Sequence, residues 1–303
     1  MSRNIKNIVL GGGTGFIGTH LLSALKKNGH GVTIISRMPG PCRMSWHDVE
    51  KMGLPEETDV VINLAGQNVM DISQRWSSGF KQNVFNSRVL TTSTLVKAIV
   101  NAKKKPEVFV SISGVGGYRP DDQIAYTETS PLENFDFFSK LCLEWEKAAV
   151  NLIKEKDICR YVIIRSGVVL GRDGGMIKQL YLPFYLGLGG PVGNGMQYMP
   201  WIHIDDLVRL IIFSIGYPKV SGILNGVAPT PATNKEFSKA FAQALNRPAI
   251  FPVPKFVLNA ILSEERANMI TKGQKVIPSR PLELGFSYKY PDIRKACQSF
   301  ATK

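Results

Sequence analysis

The glycine-rich stretch Gly11–Gly18, which reads GGGTGFIG, restricts the fold more than any other part of the sequence. It follows the short apolar run Ile8–Leu10, and behind it apolar residues recur at helical spacing as far as Leu25. Glycines 13, 15 and 18 match the pattern G-x-G-x-x-G, which is specific only between a strand and a helix. Backbone without side chains can approach a pyrophosphate there, and the helix N-terminus offers it unpaired N–H groups. The stretch predicts a dinucleotide-binding βαβ unit rather than a purely structural tight turn.

Further apolar runs alternate with amphipathic helices along the first part of the chain: Val32–Ile35, Val60–Asn63, Val108–Ile112 and Tyr161–Ile164. Each run is apolar on both faces, as in a parallel sheet that helices cover on both sides. The pattern stops near Leu170, and a segment rich in Gly and Pro follows at Leu186–Pro191. We therefore predict an α/β fold, a doubly wound parallel Rossmann sheet with a smaller C-terminal substrate lobe. Residues 1–170 would form the NADP-binding Rossmann domain and residues 171–303 the lobe, with some segments returning to the sheet.

The end of the second predicted strand decides between the two nicotinamide dinucleotides. An NAD site places an acidic residue about 20 residues beyond the glycine loop, where it holds the ribose 2′-hydroxyl. This chain has no acidic residue before Asp48, and the strand ends in Ser36 and Arg37, with Arg43 soon after. The planar fork of an arginine pairs well with a 2′-phosphate. The sequence predicts NADP(H) as the cofactor, and an exposed arginine beside an NAD ribose is the alternative.

Composition narrows the class of protein. Hydrophobic residues make up 44% of the 303 residues and charged residues 20%, which is typical of a globular protein and not of a disordered chain. No run of about 18 apolar residues and no apolar leader occurs, so we expect neither a membrane span nor a signal peptide. The four cysteines lie far apart, which favours free thiols over disulfides or a metal site. A cytoplasmic location is the default expectation, with an organelle as the alternative.

The net charge of +13 is compatible with several anionic partners. No patch of basic and aromatic residues and no zinc-finger spacing accompanies it, so we expect no nucleic acid partner. The only run of lysines, at residues 103–105, falls where a helix should end and caps that end. The expected partners are NADP(H) and an unknown small-molecule substrate, and the oligomeric state stays open, a homodimer included.

The chain resembles the extended and atypical short-chain dehydrogenase/reductase superfamily, and more closely its YfcH-like epimerase family proteins. The resemblance runs nearly from end to end. It rests on Gly11–Gly18, Val60–Gly66, Arg165–Gly171, Leu186–Pro191, Trp201–Asp206, Leu224–Pro229 and Gly273–Arg280.

The resemblance implies which residues surround the cofactor. It places Ser36 and Arg37 at the 2′-phosphate, Leu64 and Ala65 along the ribose and adenine, and Val169 near the nicotinamide. On the helix after Gly66, Asn83 and Arg88 match polar positions near the cofactor, although their spacing of five does not put them on one face. The residues that would line the pyrophosphate are Gly12, Thr14, Gly15, Phe16, Ile17 and Gly18.

The catalytic pair of the superfamily is Tyr-x-x-x-Lys, in which the lysine lowers the pKa of the tyrosine so that its phenol exchanges a proton. Lys140 fits the lysine position, which also places it among the cofactor-binding residues, and the tyrosine position four residues earlier is Asp136. An ionised carboxylate there would accept a proton but would not readily donate one. Ser113 is the best match for the hydroxyl partner, and Tyr118 and Tyr126 are the nearest tyrosines that could take over the phenol's role.

A third group of polar residues, His203, Asp205 and Asp206, has the appearance of an acid–base or metal site. The resemblance favours a structural role, with the histidine bonded to nearby backbone. The leading prediction is an NADP(H)-dependent oxidoreductase or epimerase-like enzyme with an unknown small substrate. The alternative is a non-enzymatic NADP(H)-binding regulator or sensor, which the carboxylate at the tyrosine position favours.

Overall fold

Parallel strands dominate the computed structural model, which describes residues 5–38 and 40–301. The strands are β1 (Asn7–Gly11), β2 (Gly31–Ile35), β3 (Arg43–Met44), β4 (Val60–Asn63), β5 (Val108–Gly114), β6 (Asp121–Tyr126), β7 (Arg160–Ser166), β8 (Val168–Gly171), β9 (Trp201–His203), β10 (Gly222–Gly226) and β11 (Gln274–Val276). Seven of them form the central sheet in the order β10-β7-β5-β4-β1-β2-β3, and every neighbouring pair is parallel. The doubly wound parallel sheet predicted from the sequence is confirmed.

The helices lie on both sides of this sheet and around a second core. They are α1 (Phe16–Lys27), α2 (Trp46–Met52), α3 (Ser78–Asn101), α4 (Phe137–Glu155), α5 (Gly175–Tyr185), α6 (Ile204–Gly216), α7 (Asn234–Ala244), α8 (Lys255–Leu262), α9 (Glu264–Thr271), α10 (Ser279–Glu283) and α11 (Ile293–Ala301). Among the described residues, no helix combines the length and the apolar character that crossing a bilayer requires.

The alternating direction of side chains along the strands explains why both faces of the sheet carry helices. Successive strand residues point to opposite faces. In β1, Val9 packs in a cluster with Leu95 of α3, whereas Leu10 packs in another cluster with Leu21 of α1. Because neither face can be left in water, each strand reads as a continuous apolar run.

The order of the strands reverses direction between β1 and β4. From β1 the chain continues through β2 to β3 on one side, and β4, β5, β7 and β10 extend the sheet on the other. Gly11 is in register with both Ile35 and Asn63, so the carboxyl ends of β1, β2 and β4 meet at one edge. In doubly wound sheets the crevice at this reversal is where nucleotides bind.

The part of the chain after Leu170 contributes to a second core and also returns to the sheet. Strands β8 and β9 pair with each other, and α5, α7 and α11 surround a cluster that includes Trp201, Phe241 and Phe300. Helix α6 packs on the face of α1, and β10 becomes the edge strand beside β7. A further pair, β6 with β11, connects the region after β5 to the C-terminal part.

Candidate cofactor and substrate site

The loop between β1 and α1 brings backbone close to backbone at two glycines. Gly12 has φ +78°, and a Cβ placed on it would lie 2.7 Å from the carbonyl carbon of Leu64. A Cβ on Gly18 would lie 2.7 Å from the Cα of Gly13. The folded chain itself therefore requires both glycines, since no side chain fits at either position.

Gly15 differs, because the protein leaves room for a side chain there. The atom nearest to a Cβ on Gly15 is the carbonyl oxygen of Gly12 at 3.5 Å, an ordinary contact. Gly15 is the N-cap of α1, its backbone is extended, and no side chain caps or neutralises the first turn. The N–H groups and the positive end of the helix dipole therefore face an open space, which fits a pyrophosphate.

Phe16 has a second role that the sequence did not reveal. Its ring packs against the turn between β8 and α5, where a Cβ on Gly171 would lie 2.7 Å from the ring and one on Gly174 would overlap with it. One helical turn later, His20 and Asp173 approach to 2.9 Å. The start of α1 is thereby attached to the C-terminal part of the chain. Of the other predicted loop residues, Thr14 is exposed and Ile17 packs in the core beside α6.

The end of β2 carries the predicted 2′-phosphate residues. Ser36 is buried and holds the following turn, because its N–H donates to the Met44 carbonyl at 2.9 Å and its Oγ accepts the Met38 N–H at 3.1 Å. Arg37 is exposed and forms no ion pair with any described residue. Arg43, on the neighbouring strand β3, is exposed as well. Two guanidinium groups are thus available beside the strand end, where an NAD site would carry a carboxylate.

The turn after β4 is held by Asn63, a residue that the sequence reading missed. Its Oδ1 accepts the Ala65 N–H at 3.1 Å and its Nδ2 donates to Thr92 of α3 at 2.8 Å. The N–H of Leu64 donates to the Gly11 carbonyl at 2.9 Å. Leu64 and Ala65 therefore form a fixed wall next to Gly12. The signal in the sequence that could have identified Asn63 is that it is a polar residue at the end of an apolar strand.

The hydroxyl of Ser113, near the end of β5, lacks a hydrogen-bond partner among the described residues. The residue is buried, and its Oγ has no partner among the described residues. A buried hydroxyl without a partner is costly unless a ligand or water completes it. Val169 of β8 is half-buried opposite Ile202 of β9, just beyond the end of β7.

Asp136 and Lys140 lie at the exposed N-terminal end of α4. Asp136 is the exposed N-cap of α4, where its carboxylate accepts the Ser139 N–H at 2.8 Å while the Ser139 hydroxyl accepts the Asp136 N–H at 2.8 Å. The side chain of Lys140 is exposed. The assignment of these two residues to the tyrosine and lysine positions of the superfamily's pair stays a prediction.

The residues of α4 that do face the end of β5 are Phe138 and Cys142. A Cβ on Gly114 would lie 3.4 Å from the Cys142 sulfur, and one on Gly116 would lie 3.8 Å from the Cβ of Phe138. Both side chains are buried, and burial raises the pKa of the Cys142 thiol to about 12, so it stays protonated. Residues two apart on a helix point about 200° apart, which is why Lys140 faces away from both.

Tyr118 belongs to a buried network instead of serving as a free phenol. Its hydroxyl accepts from Arg165 at 2.8 Å and lies 2.9 Å from Asn225 Oδ1, to which it donates. Arg165 also forms two hydrogen bonds with Glu146, at 2.8 and 2.9 Å. Burial raises the pKa of Tyr118, and Tyr126 stacks on its ring at 5.0 Å. This network ties α4 and the segment after β5 to β7 and β10.

Arg88 of α3 also lies at this end of the sheet, and its guanidinium has no carboxylate partner among the described residues. Its guanidinium lies over the Trp145 ring at 5.3 Å and would be 2.9 Å from a Cβ on Gly66. Burial lowers the pKa of Arg88 to about 10, and no described carboxylate lies within the 4.0 Å of an ion pair. Asn83 is exposed, so the two predicted polar residues of α3 do not come together.

Side chains from three segments meet beside Phe138. Trp76 stacks on Phe138 with centroids 5.5 Å apart, and it contacts Phe137 edge-on at the same distance. From α9, the buried Arg266 lies over Trp76 at 4.6 Å, and Glu265 accepts a hydrogen bond from the Trp76 indole. The C-terminal part of the chain therefore closes one side of the cleft. Nothing local in the sequence indicated this contact, since almost 190 residues separate Trp76 from α9.

His203 has the structural role that the resemblance suggested. It is the N-cap of α6: its Nδ1 accepts the Asp205 N–H at 3.0 Å, while its Nε2 lies 3.0 Å from Ser299 Oγ. Burial lowers the pKa of His203 to about 4. The Asp206 carboxylate accepts two backbone N–H groups near the C-terminus, one of them from Lys289 at 2.7 Å. In the described ranges, no group of three potential metal ligands comes together.

Comparison with known proteins agrees with the geometry. The model of the NAD dependent epimerase/dehydratase family matches residues 8–225, and that of a domain of unknown function, DUF1731, matches residues 253–300. The epimerase family protein SDR39U1 of Bos taurus is 48% identical over 290 residues, covering 95% of this chain and 97% of the bovine one. The SDR39U1 homologue of Arabidopsis thaliana, described as chloroplastic, is 36% identical over 301 residues, covering 95% and 84%.

A solved structure extends the match to three dimensions. The crystal structure of human epimerase family protein SDR39U1 (isoform 2) with NADPH has a TM-score of 0.93 to this chain at 45% identity, covering 97% of this chain and 99% of the human one. The cofactor bound to that relative is the one predicted here from Arg37. The match spans the sheet and the C-terminal part together. The chain therefore belongs to the NAD dependent epimerase/dehydratase family, with the short-chain dehydrogenase/reductase fold that its motifs resemble.

Proposed function

We propose that this protein binds NADP(H) in the crevice above β1 and β4 and acts as an oxidoreductase on a small molecule held beside Ser113 and Phe138. The observation that carries the proposal is the open space at Gly15. The chain tolerates a side chain there, yet the helix start is left uncapped and faces that space. Arg37 and Arg43 add positive charge where the 2′-phosphate would lie.

The residues that would hold the cofactor extend along one edge of the sheet. Gly12, Gly15 and Gly18 would receive the pyrophosphate on backbone N–H groups, and Arg37 would pair with the 2′-phosphate. Leu64 and Ala65 would border the adenosine, with Val169 beside the nicotinamide. When bound, the cofactor supplies or accepts the hydride.

The chain's own contribution to a reaction differs from that of a reductase with a tyrosine and a lysine. The unpaired Oγ–H of Ser113 can donate a hydrogen bond to a substrate oxygen. Phe138 and Trp76 form an apolar wall that excludes water, and the Cys142 thiol stays protonated because its pKa is raised. Neither Phe138 nor Cys142, the two residues of α4 that face the end of β5, is a strong proton donor. We therefore expect slow turnover of ordinary carbonyls, and faster turnover of substrates that delocalise the negative charge themselves.

Two matched variants test where the reaction centre lies. A screen of carbonyl compounds and sugar nucleotides, with nicotinamide absorbance as the readout, would first establish a substrate. Phe138→Tyr places a phenol on the helix face towards Ser113, and it should raise slow carbonyl reduction by up to the 10²–10⁴-fold typical of general acid catalysis. Asp136→Tyr, on the exposed helix end, should leave the rate unchanged. A rate increase in Asp136→Tyr alone would contradict the proposed placement.

The second candidate function, a non-enzymatic NADP(H) sensor, is favoured by the apolar pair Phe138 and Cys142. A protein that keeps the cofactor residues and lacks an acid pair can report occupancy without chemistry. In that case NADPH should protect residues 255–271 from hydrogen exchange, because α9 reaches Trp76 across the cleft. Turnover of any screened substrate at the rates of ordinary enzymes would argue against the sensor.

A further inference from the structure

Exposed apolar side chains are concentrated on one surface of the C-terminal part of the chain. They come from the end of α5 and the residues after it, from the segment before α8, and from α8 itself. Each of them is between 51% and 73% exposed. A large apolar patch on a globular protein marks a place where something else binds. The α5–α8 surface, as we name it, consists of Leu182, Leu186, Leu188, Ile250, Phe251, Phe256 and Ile261.

The two segments that carry these residues lie side by side. The Val253 N–H donates a hydrogen bond to the Pro191 carbonyl at 2.8 Å. Nearer to α5, the Nε–H of Arg247 donates to the Tyr185 carbonyl at 2.7 Å. The chain that leaves α5 therefore runs along the chain that enters α8, and the exposed side chains of both form one continuous surface.

Helix α8 extends this surface and packs only lightly on the rest of the protein. Leu262, its last residue, is the one buried side chain of the helix. Phe256 in its first turn and Ile261 in its last turn are 73% and 63% exposed. Packing within the chain does not explain these apolar residues, because a helix on a protein surface usually turns such residues to the core. Removing them from water by contact with another apolar phase would be favourable.

The same two segments lack negative charge. Residues 174–204 and 237–263 contain no Asp or Glu, although the whole chain has 24 of them. Exposed cations accompany the apolar side chains: Lys178 lies one helical turn before Leu182, Arg247 precedes Ile250, and Lys255 adjoins Phe256. None of these three cations takes part in an ion pair among the described residues. The α5–α8 surface thus combines apolar side chains with positive charge that no carboxylate neutralises.

We propose that the α5–α8 surface binds an anionic membrane surface, without any segment crossing the bilayer. The apolar side chains would enter the headgroup region, and the cations would lie against anionic lipid headgroups. A second copy of the chain fits this surface less well. A twofold interface would bring Arg247 and Lys255 against other cations, with no carboxylate from either segment to pair with them.

Flotation of the full chain with phospholipid vesicles tests the proposal. The wild type should bind vesicles of mixed phosphatidylcholine and phosphatidylserine, bind phosphatidylcholine alone much less, and release the mixed vesicles as salt is added. Phe256→Gln/Ile261→Gln should lower the binding by at least about tenfold, because two apolar side chains no longer enter the lipid. Met52→Gln/Leu90→Gln is the matched control, since it replaces two exposed apolar residues elsewhere and should change nothing.

A second pair of substitutions tests the contribution of charge. Lys178→Gln/Lys255→Gln should weaken binding to the mixed vesicles by about 20–30-fold, or about fivefold for each charge removed. Binding to phosphatidylcholine alone should stay as it is in the wild type. Urea unfolding of each variant provides the control for folding, because exposed substitutions of this kind leave stability nearly unchanged.

Several outcomes would overturn the proposal. The wild type could bind neither kind of vesicle, or bind both kinds equally, or Phe256→Gln/Ile261→Gln could bind as well as the wild type. Light scattering that finds a wild-type dimer and a monomeric Phe256→Gln/Ile261→Gln would show that the surface joins two copies instead. Should that variant fail to fold, the lysine variant decides, because both of its replaced side chains are exposed. NADPH titration is a separate measurement, so a failure of the cofactor site would leave this result unaffected.

Discussion

Replacing Gly15 tests whether its open space belongs to a ligand. A Cβ there meets only the Gly12 carbonyl oxygen at 3.5 Å, and the φ and ψ of −81° and 178° suit any residue. Reducing the flexibility of the unfolded chain should stabilise Gly15→Ala by about 0.4–1 kcal/mol. Alanine is a poorer N-cap than glycine, which costs a similar amount, so the free energy of unfolding should change by less than about 0.5 kcal/mol.

Cofactor binding, unlike stability, should be strongly affected by a side chain at position 15. Gly15→Val should abolish NADPH binding, because the branched side chain would occupy the space next to the helix N-terminus. Gly18→Ala is the contrasting control: its Cβ would lie 2.7 Å from the Gly13 Cα, so this variant should lose stability even without cofactor. Urea unfolding of the cofactor-free proteins and fluorescence titration with NADPH give the two readouts. A Gly15→Val protein that binds NADPH with the wild-type affinity would refute the placement of the pyrophosphate.

Three further changes should give distinct results. Arg37→Ala should lose about 1–3 kcal/mol of NADPH binding with little effect on NADH, and calorimetry that finds equal wild-type affinities for the two would rule this out. Asp136→Ala should lower the free energy of unfolding by about 1 kcal/mol through loss of the N-cap, whereas Asp136→Asn should retain most of it in the same urea assay. The pKa of His203 in the folded protein, about 4, lies below its value in the unfolded chain. The neutral histidine's contribution to the free energy of unfolding is therefore present above pH 6.5 and is lost as the pH falls towards 4. Unfolding experiments across this range should show that loss in the wild type and a smaller one in His203→Asn, and equal losses would contradict it.

Local patterns predicted the sheet and the glycine loop well. The run Ile8–Leu10, the glycines and the helix behind them are neighbours in sequence, so their geometry follows from a short segment. Arg37 could be recognised for the same reason, since it directly follows a strand. The cofactor predicted from it is the one in the human relative's crystal structure.

Sequence spacing alone does not identify the residues of α4 that line a reaction centre, because two pairs on this helix have the same spacing. Asp136 with Lys140 and Phe138 with Cys142 are each four residues apart, and only the direction of the helix separates them. The buried sequence Phe138, Leu141 and Trp145 would have indicated which face turns to the sheet. The assignment of Asp136 and Lys140 by the superfamily's motif stays a prediction.

Contacts over long sequence distances could not be read from the chain. Arg266 contacts Trp76 across a long stretch of sequence, and neither residue belongs to a motif. The unpaired state of Arg88 depends equally on which carboxylates the fold brings near. Such features follow from tertiary packing, which no local pattern encodes.

The ring of Phe16 has a consequence for engineering coenzyme preference in this family. Glycines at 171 and 174 leave the space that the ring fills, and a side chain at either position would collide with it. A nucleotide-binding module transplanted from another dehydrogenase, with a different residue in place of Phe16, would leave a void against this turn or clash with it. Chimeras should therefore exchange residues 171–175 together with the glycine loop, because the two segments pack against each other.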